Sequence, residues 1–224
     1  MLKNGTKTIL RNHLHYGVEN GHIKRFKPWL GDWVSFLYDF IMKQSIFPKK
    51  LGADPYRHDD ILCRVLKDIH GKRVLELASG SGSAVNFLPR DNLYTGTDIS
   101  PGLLKKARKR FKTAGFQGAE FYVTPAHELP FDDNRFAVCL CILSLNFFGD
   151  AASVFQEVKR VLIMGSVFIC SVPVPERNRL QSTIRGTLFS EAALNRMCKA
   201  QGFRFESLAF ENGAVLYFKA VSEL

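Results

Sequence analysis

From about residue 72 onward the chain alternates short apolar runs with runs in which apolar residues recur every three or four positions. The first pattern predicts β-strands and the second predicts amphipathic helices. Strand alternating with helix predicts an α/β fold: a mostly parallel sheet with helices on both faces. The predicted strands span residues 72–78, 92–99, 119–124, 136–143, 165–172, 203–210 and 214–221, and the predicted helices begin near 83 and span 100–115, 151–162 and 190–202.

Capping residues define several ends of these elements. Ser100 can cap the helix that starts at Pro101, and Ser190 can cap the last helix. Asn212-Gly213 lies between the last two predicted strands and predicts a closing hairpin, which makes the last strand antiparallel. The prediction is therefore a seven-stranded sheet, and ligands of such sheets bind beyond the carboxyl ends of the strands.

Residues 1–70 have a different pattern, so we predict two parts: an N-terminal helical cover (1–70) and the sheet domain (71–224). One aromatic-rich amphipathic helix is predicted over 28–47. A second is predicted over 54–69, with Asp54 as its cap and Pro55 after it. Phe26, Trp29, Trp33 and Phe36 could wall an apolar ligand, although most residues of this kind belong to the core face of a helix.

The composition is that of a globular protein and argues against the other structural classes of chain. The 224 residues carry 31 Lys+Arg and 21 Asp+Glu, a net charge of +10, and 46% of them are apolar. These fractions are typical of a globular chain. No apolar run is long enough for a membrane span or a signal peptide, which predicts a cytoplasmic protein.

The five cysteines are scattered and odd in number, which favours reduced thiols. Cys139 and Cys141 would share one strand face. A soft-metal or redox pair is one interpretation, and burial as small hydrophobic residues is the favoured one. We predict no metal site.

The loop after the first predicted strand is rich in glycine. Gly80-Ser81-Gly82 lets the backbone approach a ligand closely. The third glycine of a dinucleotide fingerprint and the Lys-Ser/Thr of a phosphate loop are both missing. Glu76, four residues before the Gly-x-Gly, favours a nucleoside with a cationic tail over a pyrophosphate.

Asp98 ends the second predicted strand. A carboxylate at this position can accept hydrogen bonds from a ribose diol. The alternative is a solvated residue at a strand end. Together with the glycine loop, the ribose interpretation is favoured.

Four segments in order carry a resemblance. Residues 74–82, VLELASGSG, resemble E-x-G-x-G-x-G, with Ala78 at the first glycine. Residues 96–100, GTDIS, resemble the acidic motif that follows. Residues 126–137 resemble A-x-x-L-P-F-x-D-x-x-F-D, with Ala137 at the last position. Residues 157–166 resemble E-x-x-R-V-L-K-P-G-G. Residues 72–172 thus resemble a class I S-adenosylmethionine-dependent methyltransferase with a Rossmann-like fold, similar to those of small-molecule and quinone biosynthesis.

The resemblance implies S-adenosyl-L-methionine as cofactor and a set of residues around it. Asp98 would hold the ribose, Ile99 would pack on the adenine, and Leu143 would face the sulfonium and the acceptor. The cofactor-binding residues that it implies are Glu76, Ala78, Ser79, Gly80, Gly82, Asp98, Ile99, Ala126, His127 and Leu143.

Methyl transfer from a sulfonium is an in-line displacement that depends mainly on alignment. A general base is needed only for an acceptor that must lose a proton early. No single residue is assigned to that role; the candidates are His13, Tyr16, Tyr38 and His127, with His15 and His58 as further ones. Residues 173–188 and the N-terminal cover are expected to set acceptor specificity.

The expected activity is methylation of a small-molecule acceptor, with a phospholipid or quinone acceptor at a membrane surface as an alternative. Residues 105–110, KKARKR, form the strongest basic cluster. A solvated helix face is favoured there over a nucleic-acid patch, since no interleaved aromatic residues are present to stack bases. A non-catalytic module that binds nucleic acid or anionic lipid is the third interpretation, and contact with an anionic membrane fits the positive charge. The acceptor and the oligomeric state stay open.

Overall fold

The fold is one mixed sheet of ten strands, seen in a computed structural model that describes residues 2–3, 6–24, 26 and 38–223. The strand order is β1-β2-β6-β5-β4-β7-β8-β10-β9, with β3 paired to β2. The strands are β1 (Lys7–Arg11), β2 (Leu14–Glu19), β3 (His22–Ile23), β4 (Arg73–Leu77), β5 (Leu93–Asp98), β6 (Glu120–Val123), β7 (Phe136–Ile142), β8 (Leu162–Pro173), β9 (Phe203–Ser207) and β10 (Val215–Ser222).

The five central strands, β6-β5-β4-β7-β8, are parallel, and β10 runs antiparallel between β8 and β9. The predicted α/β class, the parallel sheet and the antiparallel last strand are confirmed. Because the central strands are parallel, β4, β5 and β7 end at the same edge of the sheet. Asn212 pairs with Val215, so the closing turn is centred one residue later than predicted.

The prediction of seven strands was wrong, because three more lie in the part predicted as a helical cover. β1 and β2 pair antiparallel around Asn12-His13, and both turn residues have positive φ. β2 then extends the sheet by pairing in parallel with β6. Residues 7–23 are therefore strands instead of helices. The division at residue 70 stays a prediction.

Helices cover both faces of the sheet. They are α1 (Tyr38–Ile41), continued by a π-helical segment (Met42–Leu51), α2 (Pro55–Leu66), α3 (Pro101–Thr113), α4 (Ala151–Val161) and α5 (Glu191–Ala200). The predicted helix over 28–47 lies partly outside the described residues, including Trp29, Trp33 and Phe36, and its described part from residue 38 is helical.

The predicted caps are confirmed. The Asp54 side chain accepts a hydrogen bond from the Tyr56 amide (2.8 Å), and the Ser100 hydroxyl accepts one from the Leu103 amide (3.2 Å). Ser190 does the same for the first turn of α5. These acceptors satisfy amides that have no partner inside the helix.

Two apolar layers hold the fold together. One packs α4 and α5 against the sheet, and the other packs α2, α3 and the π-helical segment against the opposite face. Cys139 and Cys141 are fully buried in the first layer, as the favoured interpretation predicted. In the described part of the chain, no helix is long and apolar enough to span a membrane.

Candidate functional site

The glycine loop after β4 has an unusual backbone. Ala78, Gly80 and Gly82 have φ values of 45°, 54° and 78°, in the left-handed region. Three left-handed residues within five positions curl the chain tightly after β4. A Cβ atom added at Gly82 would lie 2.8 Å from the Cβ of Ala107 on α3. Gly82 therefore packs the loop directly onto the next helix.

Asp98 ties this loop to the end of β5. Its Oδ2 accepts a hydrogen bond from the Gly80 amide (2.9 Å), and its Oδ1 accepts one from the Ser100 amide (2.8 Å). The side chain is buried, which excludes the alternative of a solvated residue. The carboxylate holds the loop after β4 and the loop after β5 together.

A first cavity of about 340 Å³ opens beside Asp98. It extends from the glycine loop across the ends of β5, β6 and β7. The lining includes Ala78, Gly80, Asp98, Ile99, Leu103, Thr124, Ala126, His127, Leu143 and Phe147.

A second cavity of about 360 Å³ lies on the other side of the same loop, under α1 and the π-helical segment. The two cavities share Ala78, Gly80, Ile142 and Leu143, so they are halves of one cleft. The second half is lined further by Asp39, Phe40, Met42, Lys43, Phe47, His58, Asp59, Glu76, Ser79, Ser81 and Arg110.

Glu76 lies buried at the floor of the second cavity. Burial raises the pKa of its carboxyl to about 8, although the Tyr94 hydroxyl donates a hydrogen bond to Oε2. Gly96 pairs opposite Glu76 in β5, and a Cβ there would lie 3.0 Å from the Tyr94 hydroxyl. The missing side chain at Gly96 thus makes room for the contact between Tyr94 and Glu76.

Asp39 on α1 binds the glycine loop and α3, and these contacts hold α1 beside the cleft. Its Oδ1 accepts a hydrogen bond from the Ser81 hydroxyl (2.5 Å), and its Oδ2 lies 2.7 Å from Lys106 Nζ and 3.4 Å from Arg110. Burial opposes ionisation, but the hydrogen bonds from Lys106 and Ser81 lower the pKa of Asp39 overall. Two members of the basic cluster 105–110 are therefore engaged within the fold, contrary to the expectation of a solvated face.

The structure brings most of the predicted cofactor residues together. Nine of the ten line the cleft, and Gly82 supports the loop from behind; the nine are Glu76, Ala78, Ser79, Gly80, Asp98, Ile99, Ala126, His127 and Leu143. Leu143 has a positive φ of 53° and donates its amide to the Ser171 carbonyl (2.8 Å). This left-handed residue turns the chain sharply at the end of β7.

Some of the candidates for a general base line the cleft, and others do not. His127 is exposed at the rim of the first cavity, and His58 lines the second. His13 occupies the exposed β1–β2 turn, and Tyr16 lies on β2; neither lines the cleft. Residues 7–23 extend the sheet edge instead of covering the site, and a role of either residue as a base stays a prediction. The Tyr38 side chain lies outside the described part of the chain.

Sequence reasoning missed Asp39, Lys43 and Tyr94. Asp39 and Lys43 belong to a helix whose docking onto the loop is a long-range contact. Tyr94 had one signal: Gly96, two residues later in a predicted strand, indicates a close approach of other atoms.

Residues 75–170 match the sequence model of a methyltransferase domain. Over these residues the chain carries a methyltransferase domain. Two curated relatives agree. The chain is 39% identical over 106 residues to the ubiquinone/menaquinone biosynthesis C-methyltransferase UbiE of Desulfotalea psychrophila, which covers 46% of this chain and 42% of that protein. It is 31% identical over 136 residues to a fatty-acid O-methyltransferase of Mycolicibacterium smegmatis, covering 57% and 48%.

The methyltransferase domain also has solved structural counterparts. A S-adenosylmethionine-dependent methyltransferase from Thermotoga maritima superposes with a TM-score of 0.64 at 18% identity, over 87% of this chain and 98% of that chain. This similarity concerns the fold. The matched part spans less than half the length of both curated relatives named above.

Proposed function

We propose that the protein transfers a methyl group from S-adenosylmethionine to a small-molecule acceptor by in-line displacement. The observation that carries the proposal is the bond between Gly80 and Asp98 at the centre of the cleft, within a matched methyltransferase domain. It places a curled backbone and a carboxylate side by side, as a nucleoside with a cationic tail requires.

The residues of the cleft fit this cofactor. The carboxylate of Asp98 lines the first cavity, where it would accept hydrogen bonds from ribose hydroxyls, and Ile99 and Ala126 offer apolar walls to the adenine. Glu76 lies at the floor of the second cavity beside the glycine loop, where it would help to position the methionine portion. When bound, S-adenosylmethionine supplies an electrophilic methyl group on a sulfonium.

The chain's own residues then act by alignment and by excluding water. The turn at Leu143 lies between the two halves of the cleft, so it can separate the cofactor from the acceptor and set the approach of one to the other. Positioning of this kind can lower a barrier by about 7–11 kcal/mol. The contacts of Asp39 hold α1 beside the second cavity.

An acceptor with an apolar body is favoured. Phe40, Met42, Phe47 and Leu143 give the second cavity apolar walls. The two curated relatives are named for quinone and fatty-acid methylation, and both acceptors are largely apolar.

The test is calorimetric binding followed by transfer. We expect S-adenosylhomocysteine to bind and to raise the melting temperature, because a ligand of the native state stabilises it. With methyl-labelled S-adenosylmethionine, 1,4-naphthohydroquinone and decanoate are then compared as acceptors. No binding of S-adenosylhomocysteine at millimolar concentration would refute the proposed function, and label found only on decanoate would point to the fatty-acid branch.

Contact with an anionic membrane is a second proposal about partners. Phe40 and Tyr56 are 64% and 72% exposed, and Lys43 lies between them at the mouth of the second cavity. Aromatic residues and lysines on one exposed helical segment are features of helices that lie on an anionic membrane. Co-sedimentation with phosphatidylglycerol vesicles should fall at least fivefold in Phe40→Ser, with exposed Leu93→Ser as the control. Equal sedimentation of both variants would contradict it.

A further inference from the structure

A buried hydrogen-bond chain ends at His58 in the second cavity. This series of hydrogen bonds begins at Asn212, in the loop between β9 and β10, whose side chain faces the backbone of Asp54. Asn212 Oδ1 accepts a hydrogen bond from the Asp54 amide (2.8 Å), and Asn212 Nδ2 donates to the Asp54 carbonyl (3.0 Å). These two bonds fix which end of the side-chain amide is nitrogen.

Because its orientation is fixed, Asn212 must donate to the next member. Its Nδ2 lies 3.2 Å from the Tyr217 hydroxyl oxygen, and the second amide proton goes there. Tyr217 is only 1% exposed. Its oxygen has one other partner in the described structure, His58 Nδ1 at 2.8 Å. The tyrosine proton therefore points to His58, and Nδ1 accepts it.

This bond decides the tautomer of His58. A neutral imidazole carries one proton, and when Nδ1 accepts, that proton sits on Nε2. Burial lowers the pKa of His58 to about 4, so the ring is neutral near pH 7. Within the described residues Nε2 has no partner, and the side chain lines the second cavity.

We infer that His58 Nε2–H binds an oxygen of the methyl acceptor, so that the acceptor class is a molecule with a carbonyl or hydroxyl oxygen set on an apolar body. The inference rests on the proposed function and deepens it. A neutral donor among Phe47, Met42 and Leu143 favours an uncharged oxygen, since the ring brings no positive charge to match a carboxylate. His58 is thus a specificity residue, and its tautomer makes it a donor instead of the general base considered above.

The test compares two probes that differ by one oxygen, 1-tetralone and tetralin, in the protein saturated with S-adenosylhomocysteine. We expect calorimetry to show tetralone binding about five- to tenfold more tightly, the size of one net hydrogen bond. His58→Gln places an amide N–H near the position of Nε2 and should keep the preference. In His58→Asn the shorter side chain places its amide only at the position of Nδ1, so this variant should lose the preference for tetralone. His22→Asn, on an exposed strand, is the control.

Two results would overturn the inference. One is equal affinity of the wild-type protein for both probes, including no measurable binding of either. The other is a ¹⁵N spectrum of the wild-type protein in which Nδ1 of His58 carries the proton, a measurement that does not depend on any variant folding. Binding of S-adenosylhomocysteine in the same samples separates the outcomes: if it is absent, the proposed function fails, and if it is present without oxygen preference, only the role of His58 fails.

Discussion

The amide of Gly80 donates a hydrogen bond to Oδ2 of Asp98 across 2.9 Å. Gly80 lies three residues after the end of β4 and Asp98 is the last residue of the neighbouring strand β5, so their bond joins the glycine loop to the end of β5. Asp98 uses its other oxygen on the Ser100 amide, at the start of α3. One buried carboxylate therefore sets the shape of the glycine loop and the position of the following helix before any ligand binds.

Asp98→Asn should weaken the binding of S-adenosylhomocysteine roughly ten- to hundredfold, because hydrogen bonds to a charged acceptor are worth about 1.5–3 kcal/mol. An amide also turns an N–H group toward one of the two backbone amides that Asp98 now accepts from. Calorimetry measures the affinity. Asp91→Asn, at the exposed partner of His70, is the matched control and should bind as the wild type does. Equal affinities of the two variants would contradict the role of Asp98.

Gly82→Ala should destabilise the protein by about 3 kcal/mol, the sum of overpacking and left-handed strain. The new Cβ would meet both Cβ and Cα of Ala107, at 2.8 and 2.9 Å, and the helix backbone cannot easily yield. Urea unfolding measures the loss. Gly17→Ala is the control, because nothing lies within 4 Å of its added Cβ on β2. A loss below about 1 kcal/mol would show that the loop can shift away from α3.

The sequence predicted the centre of the sheet well and its edge poorly. Strands β4 to β8 are mostly buried, and parallel strands buried on both faces of a sheet are rich in apolar residues. The edge strands β1 to β3 are mostly exposed or half-buried, so their apolar pattern is weaker. The turn between β2 and β3 could nevertheless be predicted from the sequence. Asn20-Gly21 is a strong hairpin signal, and both residues have positive φ.

The residues of the site also differ in how well the sequence predicts them. Gly80 and Asp98 could be predicted from local sequence, because Gly80 belongs to a Gly-x-Gly motif and Asp98 ends a predicted strand. His58 depends on Tyr217 and Asn212, more than 150 residues away, and on a proton position that follows from four hydrogen bonds. No local pattern encodes such a chain, so the sequence could propose His58 only as one candidate base among several.

Ala78→Gly should stabilise the protein by about 0.5–1 kcal/mol. Left-handed strain at alanine costs about 1–2 kcal/mol, and the greater freedom of glycine in the unfolded chain cancels part of that gain. The urea midpoint should rise with an unchanged slope. Ala152→Gly, at an exposed right-handed position of α4, is the control and should lose stability. A loss in both variants would mean that Ala78 is not strained.

Glu76→Gln should flatten the dependence of stability on pH above pH 5. The folded pKa of about 8 lies above the ordinary value of 4.5, so folding favours the protonated form. The wild-type protein then loses stability as pH rises from about 4.5 through 8, by several kcal/mol at about 1.4 kcal/mol per unit. Glutamine does not titrate and still accepts from Tyr94. Unfolding free energies at pH 5, 7 and 9 should diverge between the two proteins, and parallel curves would contradict the buried protonated state.

His58 should act in the opposite direction, at acid pH. Its folded pKa of about 4 lies below the ordinary 6.5, so the unfolded chain takes up a proton first. Its contribution is complete above pH 6.5 and is lost as pH falls toward 4, by about 3 kcal/mol. Carboxylates titrate in the same window, so the informative quantity is the stability of the wild-type protein minus that of His58→Gln.

This difference should fall by about 3 kcal/mol between pH 7 and pH 4, since only the histidine gains a proton on unfolding. His22→Gln, at an exposed position on β3, should give a difference that stays constant over the same range. Chemical denaturation at four or five pH values measures both. If the curves of the wild-type protein and His58→Gln stay parallel, His58 is not held neutral by burial, and its Nε2 cannot be assigned as the lone protonated nitrogen of the ring.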